Sequence, residues 1–333
     1  MGSPQSTGKT EPFVPRRWLR GGHVQTVASF LLPRHFNLPA PEERFIEVAP
    51  GIQVLCHCHW QADRTKPLTI IIVHGLEGSS DSQYALGVAE KALAAGMNVV
   101  RYNQRNCGGT DAMAPVLYHS GLSDDVAAVA RESIERDRIS QFALVGFSMG
   151  GNLVLKLAGE WGGRGDAPTQ FRAVAACCPS MDLAASADAL HEPANRLYEK
   201  YFLFNLKRRM IRKAKLFPGH FDVGRMHGMR SLRDFDHQIT SYYCGFNGAD
   251  DYYARASASN VVGKITAPAL ILHAANDPFI RILPETRQKI AHNPHIKFIE
   301  TEDGGHCAFI GTRNGAGDGF WAETQIVNFL RGI

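Results

Sequence analysis

FALVGFSMGGNLVLKLAGE, residues 142–160, is the stretch on which the fold turns. Its first residues are a short apolar run, as a strand buried on both faces requires. Its second half carries apolar residues at helical spacing. Between them stands Gly146-Phe147-Ser148-Met149-Gly150-Gly151, room for one sharp turn. A strand that passes straight into a helix around a central serine reads as a nucleophile elbow. Small residues must then stand at both second neighbours, here Gly146 and Gly150, and the turn lifts the Ser148 hydroxyl above the sheet. The N–H of Met149 then points to where an oxyanion develops. Gly-x-Ser-x-Gly alone is a weak pattern, and the strand before and helix after give it weight.

Outward from the elbow, LTIIIV (68–73), residues 98–102 and residues 173–178 are further strands, and 83–95 has helical spacing that stops at Gly96. Residues 45–48 and 54–60 open the sheet as a pair around Pro50-Gly51. Ser123 is a candidate N-cap, with Asp124 and Asp125 favourably placed in the first turn of its helix. The alternation stops at Pro179. It resumes with a strand at 269–273, a helix at 284–291, a strand at 296–300 and a helix at 322–330. Alternating strands and helices imply an α/β fold, a mostly parallel sheet covered on both faces. The interruption reads mostly helical and is too long for a loop. The expected division is an N-terminal segment (1–43) packed on the core, a core of 44–179 and 267–333, and a helical cap of 180–266.

Three further motifs fall at strand ends. His74-Gly75-Leu76-Glu77-Gly78 follows LTIIIV, where Gly75 permits the turn and the Leu76 N–H becomes a second oxyanion donor. Asp277, in Asn276-Asp277-Pro278 after ALILHAA, stands where a triad carboxylate belongs, and His306 follows the two glycines of Gly304-Gly305-His306. The order Ser148, Asp277, His306 is that of a Ser-His-Asp triad on an α/β sheet. Asp182 and Asp303 are rival acids.

The set PRRWLRGGHVQT (15–26), VHGLEG (73–78), NQRNCGG (103–109), GFSMGGN (146–152), YYARASA (252–258), NDPF (276–279) and GGHCAF (304–309) resembles alpha/beta-hydrolase family 4, the YheT-like carboxylesterases. The resemblance covers nearly the whole chain. It implies hydrolysis of carboxylic esters, acylglycerols or phospholipids, with alcoholysis in some relatives, and assigns Ser148, Asp277 and His306 to the triad. Asn106 stands where such proteins usually have glycine, and Asn276 where an acid is commoner. The expected activity is serine carboxylic-ester hydrolysis through an acyl-enzyme, on short- to medium-chain acyl esters. The alternatives are acyl transfer or acylglycerol or phospholipid lipolysis on the same triad. A non-enzymatic binding protein is disfavoured by the intact triad.

Composition sets the remaining bounds. With 333 residues, 44% of them hydrophobic, the chain can bury a large core. A net charge of +4 argues against a nucleic-acid partner. Seven cysteines at irregular spacing fit a reducing, cytoplasmic setting better than a disulfide framework. No run approaches a membrane span, and no secretory signal is visible. Gly2 and Ser6 match myristoylation spacing, but a plain leader is the preferred reading. The chemistry calls for no cofactor and no metal. In Cys56-His57-Cys58-His59 a strand would turn the cysteines one way and the histidines the other. His119 and Asp124 form an uninformative His-x4-Asp pair, and His23 suits a structural place beside the site. Residues 195–217 are basic and amphipathic. They suit either an anionic membrane surface or a cap helix with a solvated basic face, and the second is preferred.

Overall fold

The computed structural model describes residues 12–313 and 317–333, so Gly2 and Ser6 lie outside the described residues. Eight strands form one sheet: β1 (Glu42–Ala49), β2 (Ile52–His59), β3 (Thr69–Val73), β4 (Asn98–Tyr102), β5 (Phe142–Phe147), β6 (Phe171–Cys177), β7 (Ala269–Ala274) and β8 (Ile296–Thr301). Their order is β1-β2-β4-β3-β5-β6-β7-β8. The β1/β2 and β2/β4 pairs are antiparallel and the rest parallel. Every residue of β3, β4, β5 and β7 is buried, which explains the apolar runs of β3 and β5, while Asn98 and Arg101 of β4 and His273 of β7 are polar residues buried with them. In β2 the cysteines of the Cys-His-Cys-His run face the core, while His57 meets Ser80 Oγ at 2.9 Å and His59 meets Arg101 at 3.3 Å.

The helices, in order, begin with α1 (Gly22–Leu31), α2 (Gln83–Ala94), α3 (Ser123–Asp137) and α4 (Met149–Arg164). Then come α5 (Leu183–His191), α6 (Arg196–Leu216), α7 (Leu232–Phe235), α8 (Ser241–Cys244), α9 (Ala249–Ala256), α10 (Pro284–Ala291) and α11 (Trp321–Arg331). One face of the sheet packs on α3, α4 and α10 through residues such as Val126, Leu153 and Ile290. The other packs on α2 and α11 through Val88 and Ile326. Helices α5 to α9 lie between β6 and β7; the apolar cluster of α5, α6 and α7 takes in Phe279 and Ile280 from the strand ends, and α9 packs separately on α5. Ser123 does not cap α3. It is the first helical residue, and its hydroxyl donates to Glu160 at 2.8 Å.

The chain reverses direction across the sheet at β3, which lies between β4 and β5. Open parallel sheets bind ligands beside such a reversal, at the carboxyl ends of the strands. His74 and Ser148 follow the carboxyl ends of β3 and β5.

Candidate active site

The elbow forms because its glycines can do what no other residue can. A Cβ on Gly146 would stand 2.3 Å from the Gly150 carbonyl oxygen, and one on Gly150 would stand 2.2 Å from that of Val73. Ser148 itself has φ 54° and ψ −118°, a sparsely populated conformation held by the strand and helix on either side. Its N–H donates to the Cys177 carbonyl at 2.9 Å. Met149 opens α4, so its N–H is among those a helix start leaves without an intrahelical partner.

The loop after β3 is fixed by His74. The Gln104 N–H donates to His74 Nε2 at 3.1 Å, so the ring proton sits on Nδ1, which donates to the Gly75 carbonyl at 2.7 Å. Burial pushes His74 down to about 4 and keeps it neutral. The Gly75 N–H donates to Tyr84 Oη at 2.9 Å. Among the described residues the Leu76 N–H has no acceptor. Glu77, at φ 56°, accepts from Tyr118 Oη at 2.6 Å and from Arg209 Nε of α6 at 2.9 Å.

Asp277 and His306 meet. His306 Nδ1 donates to Asp277 Oδ2 at 2.8 Å, while Asp277 Oδ1 accepts the N–H groups of Phe279 at 3.1 Å and Ile280 at 3.0 Å. Burial alone would raise the Asp277 carboxyl. The His306 charge and hydrogen bond, with the Ile280 N–H, outweigh it and hold the group below the usual carboxylate range. The rival acids are engaged elsewhere. Asp182 accepts from the Leu283 N–H and Thr286 Oγ1, each at 2.9 Å. Asp303 accepts from the Gly21 N–H and from Asn276 Nδ2.

Ser148 Oγ makes no hydrogen bond among the described residues, and the polar neighbour of His306 Nε2 is Cys307 Sγ at 3.9 Å. The two loops are nevertheless tied together. The Cys177 carbonyl that accepts the Ser148 N–H also accepts Cys307 Sγ–H at 3.5 Å. Catalytic hydrogen bonds are often open without substrate and tighten when it binds.

Several contributors other than His23 escaped the sequence reading. Helix α1 lies against the histidine loop, where Thr26 Oγ1 accepts the His306 N–H at 2.8 Å and buried Gln25 bonds both backbone groups of Ile310. His23 pairs with Tyr198 Oη at 3.1 Å and stacks on that ring, beside the site as expected. Cys178 Sγ accepts the Cys307 N–H at 3.3 Å. The sulfurs of Cys177, Cys178 and Cys307 lie within 4.8 Å of one another. Burial pushes all three thiols well above their ordinary range, which keeps them protonated. All seven cysteines are free.

The basic stretch needs correction. Arg209 and Lys213 do not lie on a solvated face. Both are buried, Arg209 on Glu77 and the Asn106 carbonyl, Lys213 on Asn106 Oδ1 at 3.1 Å and the carbonyls of Asp111 and Ala114. Asn106 takes the left-handed conformation, φ 61°, which asparagine tolerates where glycine is absent.

A cavity of about 110 Å³ opens beside Ser148. Leu76 and Met149 line it, as do Leu190, Phe202, Leu206 and Met210 from the inserted helices. Its polar lining includes His119 and Asp236. Burial, with Arg105 nearby, pushes His119 down to about 4, and its Nδ1 accepts the Gly121 N–H at 3.1 Å. Asp124 stays exposed, with no hydrogen bond to His119 among the described residues.

A serine on a strand-to-helix turn, before a histidine–aspartate pair on later strand ends of a mostly parallel sheet, defines an alpha/beta hydrolase. Residues 69–311 match the family model described as alpha/beta hydrolase fold. YheT of Escherichia coli (strain K12), named as an esterase, is 31% identical over 96% of this chain and 92% of its own. Phospholipase ABHD3 of Homo sapiens is 27% identical over 90% of this chain and 74% of its own, and a monoacylglycerol lipase of Saccharomyces cerevisiae is 28% identical over 81% and 60%. The Pyrococcus furiosus esterase Pf2001 superposes with TM-score 0.60 at 14% identity, covering 90% of this chain and 95% of that one. The chain belongs to the alpha/beta-hydrolase family, in its YheT-like branch.

Proposed function

We propose that this protein is a serine carboxylesterase that cleaves short- to medium-chain acyl esters through an acyl-enzyme on Ser148. The observation that carries the reading is the 2.8 Å His306–Asp277 bond, which fixes the imidazole proton on Nδ1 and leaves Nε2 free to act as base. His306 Nε2 takes the Ser148 proton as Oγ attacks the ester carbonyl. The tetrahedral oxyanion meets the N–H groups of Leu76 and Met149, each such donor stabilising the transition state by about 3 kcal/mol. Nε2 returns the proton to the leaving alcohol. Water then attacks the acyl-enzyme with His306 again as base, and the acid departs. None of these steps calls for a metal or organic cofactor.

The helices of 180–266 serve as the cap over the acyl site. The cavity of about 110 Å³ is a little smaller than one of roughly 150 Å³ that holds a benzene ring. Such a space suits an acyl chain of a few carbons. In the test, Ser148→Ala abolishes hydrolysis of p-nitrophenyl butyrate and labelling by a fluorophosphonate, with the far-UV spectrum and Tm unchanged. Undiminished labelling of the variant would place the nucleophile elsewhere.

A further inference from the structure

Helices α1 and α6 each carry apolar side chains on the side away from the core. On α1, Val24, Val27 and Phe30 repeat at three-residue spacing, and Phe30 is 66% exposed. On α6, Leu197, Tyr201 and Phe204 repeat at four- and three-residue spacing, with Leu197 79% and Phe204 64% exposed. One face of a helix is traced by such spacing. The two faces are continuous, because the rings of Phe30 and Tyr201 meet edge to face at 5.8 Å and His23 stacks on Tyr198. Contiguous exposed apolar surface of this kind marks an interaction site.

The charges beside it decide the partner. Arg20 precedes α1, and Arg196, Lys200 and Arg208 project from α6. All four are exposed and without an ion pair among the described residues. Helix α1 carries no acidic residue, and the acid of α6, Glu199, is buried against His191 and the Leu232 N–H. A second copy of this chain would bring the same cations face to face across a two-fold axis, so self-association is opposed. An anionic lipid surface satisfies both halves of the patch. Apolar rings enter the acyl boundary, and the cations meet headgroup phosphates and anionic lipids. Trp18, 85% exposed just before α1, is the residue type enriched at that boundary.

We propose that the outer faces of α1 and α6 form a docking surface for anionic phospholipid bilayers. The proposal deepens the esterase reading and rests on it only for its consequence. The other side of α6 supplies Phe202, Leu206 and Met210 to the acyl cavity, and α1 backs the His306 loop. Docking would therefore hold the active site about one helix diameter, roughly 10 Å, from the lipid.

The test is co-sedimentation of the full chain with vesicles of phosphatidylcholine, alone or mixed equally with phosphatidylglycerol. The expected result is binding to the anionic vesicles that weakens with salt. The triple variant R20Q/K200Q/R208Q should bind about a hundredfold more weakly, at about fivefold per cation. The variant F30S/L197S/F204S should lose binding altogether. Both should hydrolyse a soluble butyrate ester at the wild-type rate, which shows that they fold. Ser148→Ala should bind vesicles as the wild type does, so a failure of the catalytic reading leaves this result untouched. Absence of binding to anionic vesicles, or binding that neither triple variant weakens, overturns the proposal. So does a concentration-dependent dimer in sedimentation velocity that F30S/L197S/F204S dissociates, which would assign the face to a second copy.

Discussion

Asp277→Asn tests the proposed mechanism at its most constrained point. Both carboxylate oxygens of Asp277 act as acceptors, Oδ2 to His306 Nδ1 at 2.8 Å and Oδ1 to the N–H groups of Phe279 and Ile280. An amide of the same shape has one acceptor oxygen and one donor NH2. If its oxygen keeps the two backbone donors, its NH2 faces His306 Nδ1. Flipped, the NH2 would point at two N–H groups and lose both bonds, so the first orientation wins. Nδ1 must then accept, the ring proton moves to Nε2, and that nitrogen cannot take the proton of Ser148. The expected loss in kcat is about 10⁴, close to 5.4 kcal/mol of barrier, as for other triad aspartates replaced by asparagine. KM should change little, because Asp277 does not line the cavity. Asp182→Asn is the control. Its carboxylate holds Leu283 and Thr286, so the variant should lose roughly 1 kcal/mol of stability, about one hydrogen bond, and keep kcat within a few-fold. The assay is steady-state hydrolysis of p-nitrophenyl butyrate with active sites counted by fluorophosphonate. An Asp277→Asn enzyme within tenfold of wild type, or a larger loss in Asp182→Asn, refutes the assignment.

Three other outcomes are expected. Arg209→Met leaves the Glu77 carboxylate without its cation, so stability should fall by about 3 kcal/mol in urea unfolding, and adding Glu77→Gln should restore part of it, the Asn106 carbonyl still lacking its donor; no recovery would mean the pair does not couple. Burial pushes the Asp236 carboxyl up to about 6, against the hydrogen bonds of Tyr253 and Thr240 and the charge of Arg233. Its folded value thus lies above its unfolded one, so its contribution to stability is complete below about pH 4 and is lost as pH rises through 6. Asp236→Asn should flatten that part of the Tm profile, and an unchanged slope would place the titration elsewhere. Across p-nitrophenyl esters from acetyl to palmitoyl, kcat/KM should peak at about four to eight acyl carbons, since each buried methylene adds about 0.8 kcal/mol only while it fits. A profile still climbing at palmitoyl contradicts the small acyl site.

What the sequence disclosed follows from the range over which each feature is determined. The buried strands announce themselves because both faces of β3, β5 and β7 are covered, so most of their positions are apolar. The elbow is legible because the clash that selects Gly146 and Gly150 lies within the turn itself or one strand away. Strand position and chain order set Asp277 apart from Asp182 as the candidate acid, and the structure pairs Asp277 with His306. Helix α1 was not legible, since its one buried side chain, Gln25, is held by Leu19 and by Ile310 at the far end of the chain. Nor was the fate of the cap cations. Arg209, Arg208 and Arg212 read alike in sequence, yet only Arg209 finds Glu77 and the Asn106 carbonyl about a hundred positions away. The Ser123 expectation failed for a local reason, because Leu122 occupies the cap and Glu160 claims the hydroxyl.

Arg209 joins α6 to the loop that follows β3. Glu77 is the residue after Leu76, and Arg209 of α6 holds its carboxylate while Tyr118 fixes both its side chain and its N–H. Beside it, Lys213 fastens α6 to the loop of Asn106, Asp111 and Ala114. At the other end of the helix Asn195 bonds the Pro278 carbonyl at 2.7 Å, next to Asp277. Lifting α6 would break several buried polar contacts at once, each leaving unsatisfied groups that cost about 1–3 kcal/mol. The same motion would release the loop that carries the Leu76 N–H. On the proposed mechanism a cap so fastened would act as a fixed wall, with a preformed oxyanion site and selection by fit over closure induced by substrate. Loosening the clamp with Arg209→Met should therefore lower kcat on short esters while flattening the preference among chain lengths, two changes that loss of stability alone would not produce together.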